Sequence, residues 1–81
     1  MRVKVLKPIF AETATTLVNT ASAFPETILI KKDHWVIDAK SLLGLLAVSL
    51  QPDQEVDIEI REGDNEEAFT ALLNTGLFEK K

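Results

Sequence analysis

No cysteine occurs anywhere in the chain, which excludes disulfides, thiolate metal sites and thiol nucleophiles and gives no sign of an oxidising compartment. The three glycines are scattered, so there is no glycine-rich loop to cradle a phosphate. One histidine, His34, stands beside Trp35 in a turn-like segment, remote in sequence from any carboxylate cluster. It reads as a solvated turn residue, and neither a metal site nor a Ser-His-Asp grouping can be assembled around it. Long apolar runs are also missing. The longest, Leu42 to Leu50, is interrupted by Gly44 and Ser49 and falls far short of the ~20 residues that span a bilayer. The N-terminal Met1-Arg2-Val3-Lys4 is charged and strand-like rather than the apolar core of a signal peptide. The expectation is a soluble, cytoplasmic protein with no membrane partner. Clustered basic residues are absent too, and a formal net charge of -4 argues against nucleic acid, whose phosphates attract clustered Lys and Arg.

What the chain does hold is enough for one domain, residues 1–81, burying roughly 60 to 65% of the surface of its unfolded form. At 46% hydrophobic residues it is too apolar to be disordered. Its elements alternate between two periods. Arg2-Val3-Lys4-Val5-Leu6 alternates polar and apolar as a half-buried strand does. Ala14, Leu17, Val18 and Ala21 fall at i, i+3, i+4 and i+7, which predicts a helix from about Glu12 to Ala23, ended by Phe24-Pro25. Thr27-Ile28-Leu29-Ile30 and Trp35-Val36-Ile37 read as a hairpin turning at Lys32-Asp33-His34. Ser41 caps a second helix that runs to about Leu50, and Glu55 to Arg61 is the cleanest alternation in the chain. Gly63-Asp64 opens a third helix, with Asp64 and Glu67 at capping-box spacing, Phe69, Leu72 and Leu73 facing inward, and Gly76 where a C-terminal glycine belongs.

The order is β-α-β-β-α-β-α. Strands polar on one face fit an α+β open-faced β-sandwich, a four-stranded antiparallel sheet covered on one side by three helices. Arg2 and Lys4 project outward from the first strand and Asp57 and Glu59 from the fourth, a complementarity expected of neighbouring strands. The series Glu59, Glu62, Asp64, Glu66 and Glu67 lacks a calcium-loop pattern and reads as a solvated acidic edge. No cofactor is expected.

Lys40-Ser41-Leu42-Leu43-Gly44 resembles the regulatory-serine segment of the HPr phosphocarrier family, written there Lys-Ser-Ile-Met-Gly. The element order and length resemble that family over nearly the whole chain. The resemblance implies a fourth strand lying between the first and second. It also implies a phosphoacceptor histidine at the start of the first helix, in the context His-x-Arg-Pro-Ala. Here that place reads Phe10-Ala11-Glu12-Thr13-Ala14, so Phe10 stands at the histidine, Glu12 at the arginine and Thr13 at the proline. Phe10 cannot accept phosphate, and a carboxylate in place of a guanidinium repels it. Thr13, a neutral alcohol beside Glu12 with no base in reach, is a poor substitute nucleophile. The site is a vacated one. It is either a purely structural helix end or one where Phe10 contacts a partner.

Ser41 has two readings. It is an N-cap, and by resemblance it is also a regulatory phosphorylation site for HPr kinase, where phosphate would meet the positive end of the helix dipole. The leucines that follow cover more than one helix face, leaving Leu42, Leu43 and Leu46 as candidates for an exposed apolar surface that, in the resembled family, docks partner proteins. The implied function is a non-enzymatic regulatory or protein-binding module related to the sugar phosphotransferase system. Its partners would be other proteins, HPr kinase or a transcriptional regulator among them. The alternative is a self-associating assembly domain unrelated to sugar transport, a homodimer rather than a monomer.

Overall fold

The protein, described here from a computed structural model over residues 1–62 and 65–81, follows the order β1 (Arg2–Val5), α1 (Glu12–Ser22), β2 (Ile28–Lys32), β3 (Trp35–Asp38), α2 (Leu42–Val48), β4 (Glu55–Ile60), α3 (Glu66–Asn74) and β5 (Phe78–Lys80). The strands form one antiparallel sheet in the order β3-β2-β4-β1-β5. As expected, β4 lies between β1 and β2. The sheet has five strands where the sequence reading gave four. The added one, β5, pairs Val3 with Lys80 and Val5 with Phe78. It is too short to show a period, and only Phe78 along it is buried.

Alternation sorts the sheet into two faces. Val3, Val5, Ile28, Ile30, Val56, Ile58 and Ile60 point under the helices, where they meet Ala14, Leu17 and Ala21 of α1, Leu45 of α2 and Ala68 and Leu72 of α3, all buried. Phe69 and Leu73 are half-buried against this core. Each fully buried aliphatic side chain contributes about 1.5–3 kcal/mol, so this single core accounts for the fold's stability without staples.

The opposite face is open and charged. Arg2 sits across from Asp57 and bonds it at 2.9 Å. Lys4 faces Glu55 in register but pairs with Glu79 of β5 at 3.7 Å. Glu59 is held by Lys31 of β2 and by Arg61, each at 3.0 Å. Those two bonds, Arg61 first and Lys31 second, lower its carboxyl pKa below the ordinary 4.5.

Element ends differ from the sequence reading in physical detail. Helix α2 stops at Val48 rather than near Leu50, because Ser49 turns into the left-handed region at φ 51 and returns its N–H to the Leu45 carbonyl. Leu50 thereby leaves the helix and is fully buried. The hairpin loop is two residues, Asp33-His34, with Lys32 inside β2 opposite Trp35. The expected Gly63-Asp64 start of the third helix lies outside the described residues; the cap that is described is Asn65, whose side chain accepts from the Ala68 N–H. Gly76 takes φ 80 just past α3, as a C-terminal glycine should.

Candidate functional site

The segment joining β1 to α1 is tied down from both sides. Leu6 donates its N–H to Leu77 and Ile9 donates its own to Leu50, each at 2.8 Å. Ile9 is fully buried, and it anchors the loop while Phe10 beside it stands 56% exposed. The Ile9–Leu50 bond also sets Phe10 near the end of α2. At the N-cap of α1, Ala11 holds φ 52, ψ -114 and supplies no side-chain cap. That is a backbone region natural to glycine and strained for any other residue.

The Thr13 hydroxyl ties the preceding loop to the first turn of the helix. Its Oγ1 accepts from the Phe10 N–H at 2.9 Å and donates back to the Pro8 carbonyl at 2.5 Å. Its hydrogen is committed to a backbone carbonyl and no base is bonded to it, which adds to its weakness as a phosphate acceptor. Glu12 is exposed in the first turn of α1 and supplies negative charge to the positive end of the helix. The position that resemblance assigns to an anion-binding site therefore carries its own anion.

The second site is built by the turn between β3 and α2. Asp38 folds back on the chain, its carbonyl accepting from the Ser41 N–H and its Oδ1 from the Lys40 N–H. Lys40 reaches the other way, donating from Nζ to the Phe24 carbonyl at 2.7 Å just beyond α1. A cation there complements the negative end of α1. Ser41 is extended, at φ -104 and ψ 105, and its Oγ accepts from the Gly44 N–H at 3.2 Å. This is the N-cap the sequence indicated, with the side chain half-exposed at the surface.

The leucines of α2 divide. Leu45 points fully into the core and Leu46 is half-buried against it, whereas Leu42 is 39% and Leu43 81% exposed. Leu46 thus belongs mostly to the core. Leu42 and Leu43 project beside Ser41, and Phe10 lies toward the far end of the helix, about 10 Å along its axis.

Two features escaped the sequence. One is the strained backbone of Ala11, which no residue type announces. The other is the reason for Gly44: a Cβ there would sit 3.2 Å from Ile37 Cγ2 and 3.3 Å from Ser41 Oγ. A glycine inside an otherwise apolar helix is the available signal of such a close approach. His34 lies exposed in the hairpin turn, and among the described residues no group of His, Cys, Asp and Glu is placed to hold a metal. No helix of the described residues is long and apolar enough to cross a membrane.

Comparison with known proteins places this arrangement. The HPr-like protein Crh of Halalkalibacterium halodurans is 29% identical over 73 residues, 90% of this chain and 87% of that one. The crystal structure of HPr-C-His from Thermoanaerobacter tengcongensis superposes with a TM-score of 0.82 at 28% identity, over 91% of this chain and 85% of the other. An HPr dimer from the same organism matches with a TM-score of 0.72 at 32% identity, over 82% and 76% of the two chains. The family described as the PTS HPr component phosphorylation site matches residues 2–75, and the chain belongs to this HPr family.

Proposed function

We propose that this protein is a non-catalytic regulatory or protein-binding module related to the phosphoenolpyruvate-dependent sugar phosphotransferase system, acting in the cytoplasm without histidine phosphotransfer. The observation that carries the reading is the exposed Phe10 in the acceptor's place, flanked by Glu12 and by a Thr13 hydroxyl engaged in bonds to Phe10 and Pro8. With no acceptor, the chemistry left to the scaffold is recognition. Ser41, half-exposed at the head of α2 beside the exposed Leu42 and Leu43, is the proposed point of regulation through HPr kinase. A phosphate there adds close to two negative charges beside the leucines, enough to change which protein they dock. The likeness to Crh, an HPr-like protein, supports this reading.

The test is incubation of the purified chain with HPr kinase and ATP, read by intact mass, with Ser41→Ala alongside. One phosphate on the wild type and none on the variant is the expected result. No phosphate on either leaves Ser41 as a helix cap alone. A parallel incubation with enzyme I and phosphoenolpyruvate is expected to leave no acid-labile phosphate; labelling overturns the loss of relay. The second reading, self-association through Phe10 and the leucine helix, draws on the 81% exposure of Leu43. It takes over if Ser41 is unmodified and Leu43→Ser converts a dimer to monomer.

A further inference from the structure

The two edges of the sheet are unlike. At one, β5 is three residues long and carries Glu79 and Lys80, with Lys81 following, the short charged edge by which proteins avoid pairing with other chains. At the other, β3 reads Trp35-Val36-Ile37-Asp38, with no lysine, proline or bulge. Trp35 is 60% and Val36 58% exposed. Such an edge is open to another strand.

From this contrast we infer that β3 pairs antiparallel with the β3 of a second copy of this chain, joining two five-stranded sheets across a two-fold axis at Val36. The inference is independent of the proposed function.

Backbone direction fixes the register. Ala39 donates to the Ile28 carbonyl at 2.9 Å, continuing the alternation in which Trp35 and Ile37 turn their amides toward β2. Val36 and Asp38 therefore turn theirs outward. The Asp38 carbonyl is already taken by the Ser41 N–H, so that edge offers the Val36 N–H and C=O and the Asp38 N–H. Pairing Val36 with the partner's Val36 uses both groups of Val36 reciprocally. It also sets Asp38 opposite the partner's His34 and Trp35 opposite the partner's Ile37, each on a shared face. Shifting the axis to Ile37 would oppose Val36 to Asp38 and require the occupied carbonyl.

Charge agrees with this occupant. The whole chain is net -4, and two copies repel in most orientations. Around β3, however, Lys32 lies 3.9 Å from Asp33, and the imidazole of His34 is set against the partner's Asp38 carboxylate, whose Oδ1 accepts only from the backbone N–H of Lys40. A four-residue edge is a small interface, so the dimer is weak and forms toward ~1 mM protein.

The experiment is sedimentation equilibrium of the full chain up to that concentration, with emission of Trp35, the sole tryptophan, read on the same samples. The wild type is expected to rise from monomer toward dimer mass while its emission shifts to the blue. Val36→Pro removes the outward N–H at an edge position where proline is tolerated, and is expected to stay monomeric with an unchanged far-ultraviolet circular dichroism spectrum. Val36→Lys keeps the N–H but opposes two ammonium groups across the axis, and is expected to weaken association at least tenfold even if the proline variant fails to fold. A wild type monomeric throughout overturns the inference, as does a dimer that survives Val36→Lys and is lost with Leu43→Ser.

Discussion

Ser41 and Gly44 define the head of α2 together: the serine oxygen accepts the glycine N–H at 3.2 Å, while a Cβ on the glycine would crowd that same oxygen at 3.3 Å and Ile37 Cγ2 at 3.2 Å. Alanine inside a helix is worth about 1 kcal/mol over glycine. Here the gain is opposed by a buried isoleucine that cannot retreat, since Ile37 is 3% exposed. Gly44→Ala is expected to destabilise by about 1 kcal/mol in urea unfolding. In an Ile37→Leu background, where the branch methyl is gone, the same change is expected to stabilise. Equal effects in both backgrounds would show that Ile37 does not set the requirement.

The cap itself is measurable apart from any phosphate. Ser41→Ala is expected to cost about 1 kcal/mol. Ser41→Asp keeps an acceptor and adds charge at the favourable end of the dipole, so its stability should match the wild type within about 0.5 kcal/mol. A large loss in the aspartate variant would mean that the Asp38 carboxylate, already bonded to the Lys40 N–H, tolerates no second anion nearby.

Much of this was written in the chain. The alternations of β1 and β4 and the stripe of Ala14, Leu17 and Ala21 gave strands, helix and core face directly, because burial enforces those periods. The Lys40-to-Gly44 segment gave the capped turn. What stayed hidden was tertiary. Strand β5 exists because Phe78 finds a place in a core assembled by other elements. Leu46 was a candidate for the exposed surface and lies half-buried, since helical spacing alone does not say how far the sheet extends beneath it. The outward pairing of Arg2 with Asp57 was legible, whereas the partner of Lys4 is Glu79 on the strand that went unseen.

Glu59 carries the pH dependence that can be assigned. Its pKa is lowered from 4.5 by Arg61 and then Lys31, so the folded state binds this proton less readily than the unfolded one. Its contribution is present above the unfolded pKa and is lost as pH falls from about 4.5 through the folded value. Carbon-detected NMR titration should place the Glu59 midpoint below that of an unpaired glutamate. Arg61→Ala should raise it more than Lys31→Ala, and added salt should raise it in the wild type. Equal midpoints in the wild type and both variants would show that the bonds do not persist in solution.

At the start of α1, the backbone of Ala11 is strained at φ 52, ψ -114. Relief of such strain is worth about 1–3 kcal/mol, set against roughly 0.4–1 kcal/mol of extra unfolded-state freedom for glycine. Ala11→Gly is expected to raise stability by about 1 kcal/mol, measured as a higher urea midpoint at unchanged slope. A lower midpoint would mean that the surrounding bonds of Thr13 and Ile9 do not enforce this conformation.

The leucines of α2 should separate by role. Leu45, fully buried, is expected to lose about 2–5 kcal/mol on truncation to alanine, with the transfer and cavity terms acting together. Leu43, 81% exposed, should change stability by less than about 0.5 kcal/mol as Leu43→Ser. If the surface beside Ser41 docks a protein, that silent change should weaken binding by tenfold or more, as loss of an apolar anchor does. A residue that costs nothing to the fold and much to the complex is held exposed for recognition. Were Leu43→Ser instead to destabilise the monomer as Leu45→Ala does, the side chain would be packed in solution, and the apolar surface beside Ser41 would lose its most exposed residue as an anchor for a partner.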